Sequence, residues 1–379
     1  MSKGRLAYID IARGIGIMLV VLGHTLAEAN YHVQNSTVLF FGQLIYSFHM
    51  PLFFFLSGMF FKPDVRFLDL VKRRFDSLLK PYLFTIFLIY FVAVFYDKNL
   101  GLSTAVVRII KALYGNSYYL ELYWSQIWFL PALFAITLFA FGFYAIFKRL
   151  PAWMMFIGLL LTLVVGILTV SWFMPLKLAL FGYNLELSGL PFSLDLVLIC
   201  GFFFLLGREV YARVPMEVFS PIWVLIGSAV VLVGLNLIFP VILNLNTREY
   251  DSPLINTIEA LVGIVFVLSL SQWIEKWGGW ASKALQYYGR ITLIVLIFHS
   301  AVQFHVGRKL ADIMGGSIYG YLIAFPFAVL IPVFVYVVFI QPNFILLWLF
   351  GMSKRPESKP AELEKAYLPG IVISKERSG

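Results

Sequence analysis

Charge is scarce in this sequence, and so is cysteine. Only 13% of the 379 residues are Asp, Glu, Lys or Arg, and 61% are apolar, against roughly 25% and 45–50% in a soluble domain. That composition excludes a water-soluble globule. The single cysteine, Cys200, lies within an apolar stretch, so the sequence offers no intramolecular disulfide. Alternating strand patterns with lumen-facing polar residues are missing, which argues against a β-barrel. There is no H-E-x-x-H, no phosphate-cradling glycine loop and no G-x-S-x-G elbow, so no metal is expected and histidine is the best available base.

What the sequence has is a succession of long, nearly charge-free apolar runs, each able to cross a ~30 Å hydrocarbon core as a helix. Ten spans are predicted, at about 7–28, 38–61, 81–96, 126–147, 152–174, 190–207, 219–243, 253–274, 291–307 and 318–349. The fold class is therefore an all-α polytopic transmembrane bundle. Residues 1–350 form the membrane domain, and residues 351–379, of mixed charge, form a mobile cytoplasmic tail. Pro326, Pro332 and Pro342 fall in the last span, which is expected to kink or to end in a separate interfacial piece. No internal repeat is visible.

The net charge of +9 invites a nucleic-acid reading, but the cations are placed as an orientation signal. Of 29 Lys and Arg, 21 fall at the N-terminus, in four alternate loops and in the tail; seven fall in the opposite loops, among them Lys98, Arg108 and Lys111. Both termini are accordingly expected in the cytoplasm. Lys3 and Arg5, apolar Ile15–Leu22 and Ala27-Glu28-Ala29 together have the outline of a cleavable signal peptide. Asp10 and Arg13 make a poor lead into such a core, and nine further segments follow, so the first span is expected to be retained.

Ionisable residues inside spans are costly in lipid and point to function unless a packing role explains them. In the first span, Arg13 and His24 are eleven steps apart, almost three whole turns, so both face one way with roughly 16 Å between them along the axis. Asp10 and Arg13 are spaced to pair, and Gly14 and Gly16 allow close approach to that stripe. The bland alternative is that Arg13 snorkels to headgroups and His24 bonds a neighbouring helix. His49 lies mid-span beside Pro51, where its plain role is a hydrogen bond to backbone groups that the proline leaves free. The basic stretch Lys72, Arg73, Arg74 and Lys80 is ordinary membrane-surface chemistry or, functionally, a phosphate site for a nucleotide-like donor. Asp195, Glu259, His299 and His305 are further candidates, each also readable as a packing residue.

These residues carry a resemblance. Tyr8-Ile-Asp10-Ile-Ala-Arg13-Gly14, with ten residues between Arg13 and His24, is similar to the signature of the acyltransferase family 3 membrane proteins, most closely of the fucose 4-O-acetylase-like branch. Phe48-His49-Met50-Pro51 through Ser57-Gly58, the basic stretch ending Leu79-Lys80-Pro81-Tyr82, Ile127-Trp128-Phe129-Leu130, and Tyr288-Gly289-Arg290-Ile291-Thr292 through His299 resemble further family elements in order. Where relatives show R-x-x-R, Arg73 is followed three residues later by Asp76.

The resemblance implies O-acylation from acetyl-CoA onto a cell-surface or lipid-linked glycan, in the bacterial inner membrane and without nucleic acid. His24 would be the essential residue. A histidine kept neutral in a low-dielectric site can accept a hydroxyl proton, and Arg13, too far along the helix to reach the reacting centre, would hold donor phosphate. A partner that orients His24 would have to come from another span, with Glu259 the candidate. The rival readings are succinyl or longer acyl transfer, a transporter whose path is His49, Glu259 and His299, and a non-catalytic membrane subunit. The charge asymmetry makes a direct prediction. Reporter fusions after Asn35 and Asp251 should report the external side, and fusions after Asp69 and in the tail the cytoplasm; a cytoplasmic signal at either external site would break the ten-span topology.

Overall fold

The computed structural model describes residues 6–96, 102–116, 120, 122–170, 176–180, 183–187 and 189–352. Fifteen α-helices occur among them: α1 (Ala7–Val33), α2 (Ser36–Tyr46), α3 (His49–Gly58), α4 (Phe67–Arg74), α5 (Lys80–Tyr96), α6 (Leu102–Tyr114), α7 (Phe129–Phe147), α8 (Ala152–Thr169), α9 (Val197–Arg213), α10 (Ile222–Ile238), α11 (Pro253–Trp277), α12 (Gly279–Arg290), α13 (Thr292–Ile313), α14 (Ile318–Val335) and α15 (Phe344–Leu349). Two small antiparallel hairpins, β1 (Leu176–Leu180) with β2 (Tyr183–Leu187) and β3 (Leu243–Asn244) with β4 (Glu249–Tyr250), complete the fold. The tail from Ser353 to Gly379, and Lys98, lie outside the described residues.

Seven helical segments are long and apolar enough to cross a membrane, and α12 with α13 make an eighth if that bent pair is one span. The chain is a multi-pass membrane protein with an all-α bundle. The predicted third and seventh spans correspond to α5 and α10, which reach only 17 residues each. Ala27–Ala29, the site considered for signal cleavage, lies inside the continuous helix α1.

Local chemistry explains where the helices stop. Gln34 takes the left-handed conformation (φ 50°) that ends α1, and the Asn35 side chain accepts from the amides of Thr37 and Val38 to start α2. The predicted second span is broken at Ser47–Phe48. Pro51 has no N–H for the Ser47 carbonyl, and its ring would strike that group in an unbroken helix. The chain restarts as α3 with Pro51 in its first turn, where the missing donor is tolerated. At the C-terminal end, α14 runs through Pro326 and Pro332 into a single π-turn, Tyr336–Ile340. The separate piece expected beyond Pro342 is α15, capped by the Asn343 side chain.

One segment departs from expectation. Residues 97–125 were expected to be a loop, but the described part includes α6, which folds back along α5. The Tyr82 hydroxyl donates to the Ala112 carbonyl and Tyr90 to that of Arg108. The following 3-10 segment, Leu122–Trp128, packs on α13, where Gln126 Nε2 donates to the Ile297 carbonyl at 3.4 Å. Arg108 and Lys111 therefore belong to a helix of the bundle, not to a free loop.

Helix α1 is the buried axis, in contact with α2, α3, α11, α12, α13 and α14. Its contact with α12 depends on two glycines. A Cβ at Gly14 would sit 2.1 Å from the Leu285 carbonyl oxygen, and one at Gly289 would sit 1.9 Å from that of Asp10. Gly289→Ala should therefore destabilise the protein by about 1–3 kcal/mol or more. Gly227→Ala in α10, where nothing lies within 4 Å of the added carbon, should be neutral or slightly stabilising. Melting curves of the two variants in one detergent check this; equal melting points would contradict it.

Candidate active site

Three openings lie along one stripe of α1. Leu6, Ile9, Asp10 and Arg13 line the first, Val20 and His24 the second, and Leu26, Ala27, Asn30 and Tyr31 the third. Ile9, Asp10, Arg13, Val20, His24, Ala27 and Tyr31 recur at the helical repeat, so one face of α1 runs past all three, and Leu26 and Asn30 reach the third from beside it.

The middle opening is a cavity of about 60 Å³, room for a few waters, walled by His24, Tyr46, His49, Gln126, Trp128 and Asn244 among others. His24 is half-buried. Its Nδ1 lies 3.5 Å from the Tyr46 hydroxyl, and its ring centroid lies 5.3 Å from that of His299. Tyr46 in turn meets His49 edge-on at 4.8 Å.

Backbone carbonyls assign the tautomers of the two outer histidines. His299 Nδ1–H donates to the carbonyls of Val295 and Leu296 at 2.8 and 3.0 Å, and His49 Nδ1–H donates to that of Ile45 at 3.0 Å. In each neutral ring Nε2 is left as the acceptor. His299 Nε2 is buried and has no hydrogen-bond partner among the described residues. Gln303, one turn beyond His299, donates to the Val21 carbonyl at 2.6 Å and to the Thr25 hydroxyl, which ties α13 to α1 at the level of His24.

The cavity is closed by the β3–β4 hairpin. Asn244 and Asn246 line it, and Arg248 donates to the Asn246 carbonyl at 2.8 Å. Arg248 is also held by Asp195, through Nε to Oδ2 at 2.8 Å, in a pair with almost no exposure. Asp195 further accepts from the Leu190 amide. This ion pair anchors the hairpin to the chain ahead of α9.

At the N-terminal end of α1 the stripe opens into a groove of about 790 Å³ that gathers Arg13, Lys62 and Arg208, with Phe60 and Tyr211 as aromatic walls. The Arg13 guanidinium lies over the Phe60 ring at 5.3 Å, and the Phe60 and Tyr211 rings are 5.3 Å apart. Three cations against one carboxylate, Asp10, suit an anionic ligand with a planar part. At the C-terminal end lies a second groove of about 330 Å³, which shares Tyr46, Leu243 and Asn244 with the cavity. Between the first groove and the cavity, Phe53 packs against Gly16 and meets Phe129 edge-on at 6.0 Å.

Among the residues singled out in sequence, the structure brings His24, His49, His299 and Trp128 together. Arg13 lies in the basic groove. Asp10 is paired with Arg290 at 3.7 Å, across the α1–α12 contact. Asp195 serves the hairpin. Glu259 is fully buried and does not line the cavity; the group that touches His24 is Tyr46.

The basic stretch singled out in the sequence does not line this groove. Lys72 and Arg73 are exposed, and Lys80 is occupied by Asp76 at 3.3 Å and by the Trp348 ring at 4.3 Å. None of Lys72, Arg73, Arg74 and Lys80 lines the groove, because a π-turn (Phe75–Leu79) carries the chain toward α7 instead. Sequence reasoning missed Tyr46, Lys62, Arg208, Gln126 and Asn244. Tyr46 stands three residues before His49, and this was the one available signal. No group of three or more His, Cys, Asp or Glu able to hold a metal ion occurs among the described residues.

Residues 6–337 match the model of a family described as an acyltransferase domain. Neither a curated protein nor a solved structure matches the chain.

Proposed function

The chain belongs to acyltransferase family 3, and from that premise we propose that it moves an acetyl group from acetyl-CoA to a hydroxyl of a cell-surface or lipid-linked glycan in the bacterial inner membrane. One observation carries this reading. A cation-lined groove, a histidine cavity and an uncharged groove follow one another along a single face of α1.

In this reading Arg13, Lys62 and Arg208 hold the phosphates of the donor, and Phe60 and Tyr211 offer faces for its adenine. The residues present fit such a group in charge and in shape. The roughly 16 Å rise from Arg13 to His24 is of the length of an extended pantetheine arm. Phe53 and Phe129 must part for the thioester to reach the cavity. There the acceptor oxygen bonds to the carbonyl carbon while its proton passes to His24. The carbon–sulfur bond then breaks with its electron pair going to sulfur, and the proton held by His24 completes the free thiol. Tyr46 holds the His24 ring from one side, and the His299 Nε2 lone pair lies on another.

The test compares three proteins in membranes at matched levels, by acetyl-CoA binding and by mass spectrometry of the envelope glycan. His24→Ala should abolish acylation and leave binding within about twofold. The double change Arg13→Ala and Arg208→Ala should weaken binding by about tenfold or more, the loss of charge-assisted hydrogen bonds to phosphate. Wild-type acylation in the His24→Ala strain would contradict the mechanism.

A further inference from the structure

The groove at the C-terminal end of α1 is a binding site in its own right, and we propose that it takes an uncharged glycosyl unit, whose hydroxyl it feeds into the His24 cavity. This deepens the acyl-transfer reading above and rests on it.

The first support is continuity, since Tyr46, Leu243 and Asn244 wall both spaces and a molecule seated in the groove abuts the cavity. The second is size. About 330 Å³ lies at the small end of the range for ligand pockets, roughly 300–1,000 Å³, and is well under half of the basic groove.

The third support is charge. No Asp, Glu, Lys or Arg is among the described residues that line the groove or the cavity. An acidic sugar or a phosphate placed there would be desolvated without a counter-charge, whereas hydroxyls meet matching groups. Those groups are in place. The Gln43 side chain makes no hydrogen bond within the described residues. Asn244 is fixed through Oδ1, which accepts from the amides of Asn246 and Thr247 at 3.1 and 3.4 Å, so its Nδ2 is held in one place as a donor. Leu26 and Val38 supply the apolar wall that the C–H face of a sugar ring requires.

Gly42 offers a way to close the groove. A Cβ there meets only Leu26, at 3.8 Å, so a side chain added at this position has room. Cys200, the sole natural thiol, is fully buried and gives little background labelling. Membrane vesicles from producing cells, which carry the native acceptor, are prepared with Gly42→Cys and treated with benzyl methanethiosulfonate.

The untreated variant should acylate the glycan as wild type does. The treated variant should lose about tenfold or more of that acylation, with acetyl-CoA binding unchanged within about twofold, and the acylated sugar should carry no acidic group. Leu39→Cys, on the rim of the same groove, serves in the same way if Gly42→Cys fails to fold. Acylation that survives blocking, an acidic acylated sugar, or parallel loss of donor binding would each overturn the proposal. Vesicles of the wild type that bind acetyl-CoA and transfer nothing would contradict the acyl-transfer reading itself, a distinct failure that removes this proposal with it.

Discussion

A polar side chain at membrane depth has to find a partner or a wet cavity, and α1 carries such side chains at both ends and in the middle. The helix is 27 residues long and most of its surface is covered by other helices. Asp10, Arg13 and His24 share one stripe and Thr25 lies beside it, and each has a partner: Asp10 has Arg290, Arg13 the Phe60 ring, His24 Tyr46 and His299, and Thr25 Gln303. Everything assigned to chemistry in this protein hangs on that stripe and on the helices that leave it open.

The openings exist because neighbouring elements are interrupted. Pro51 breaks the second span at the level of Tyr46 and His49 and turns both toward His24. An 87° bend at Ile291 lets α12 lie close across the start of α1, on Gly14 and Gly289, while α13 rises beside it with His299. The short hairpin that closes the cavity is held by Asp195 and Arg248. Breaking such a buried pair by removing one partner is costly, so the place of the hairpin against the cavity depends on Asp195.

Much of this was legible in the sequence. Apolar runs locate the helices because hydrocarbon demands them, and the eleven-step spacing of Arg13 and His24 is a property of one helix. His49, His299 and Trp128 stood out as polar or aromatic groups in motifs, and they do line or abut the cavity. What depends on tertiary contact was not legible. Lys62 and Arg208 are 146 positions apart and meet only because α3 packs on α9, whereas the contiguous Lys72–Lys80 cluster looked stronger on paper. Residues 97–125 read as a loop, but their described part includes α6, which is held against α5 by the hydroxyls of Tyr82 and Tyr90. Glu259 has a depth that suits a partner for His24, but it is fully buried and is not among the residues that line the cavity.

The central claim is that one face of α1 carries the donor from its phosphates to the reacting carbon. A cryo-electron microscopy structure with a non-hydrolysable acetyl-CoA analogue tests it most directly. The phosphates should lie among Arg13, Lys62 and Arg208, the pantetheine arm along α1 with Phe53 and Phe129 displaced, and the carbonyl carbon beside His24. Phosphates bound at Lys72–Lys80, or an arm that leaves α1, would contradict it.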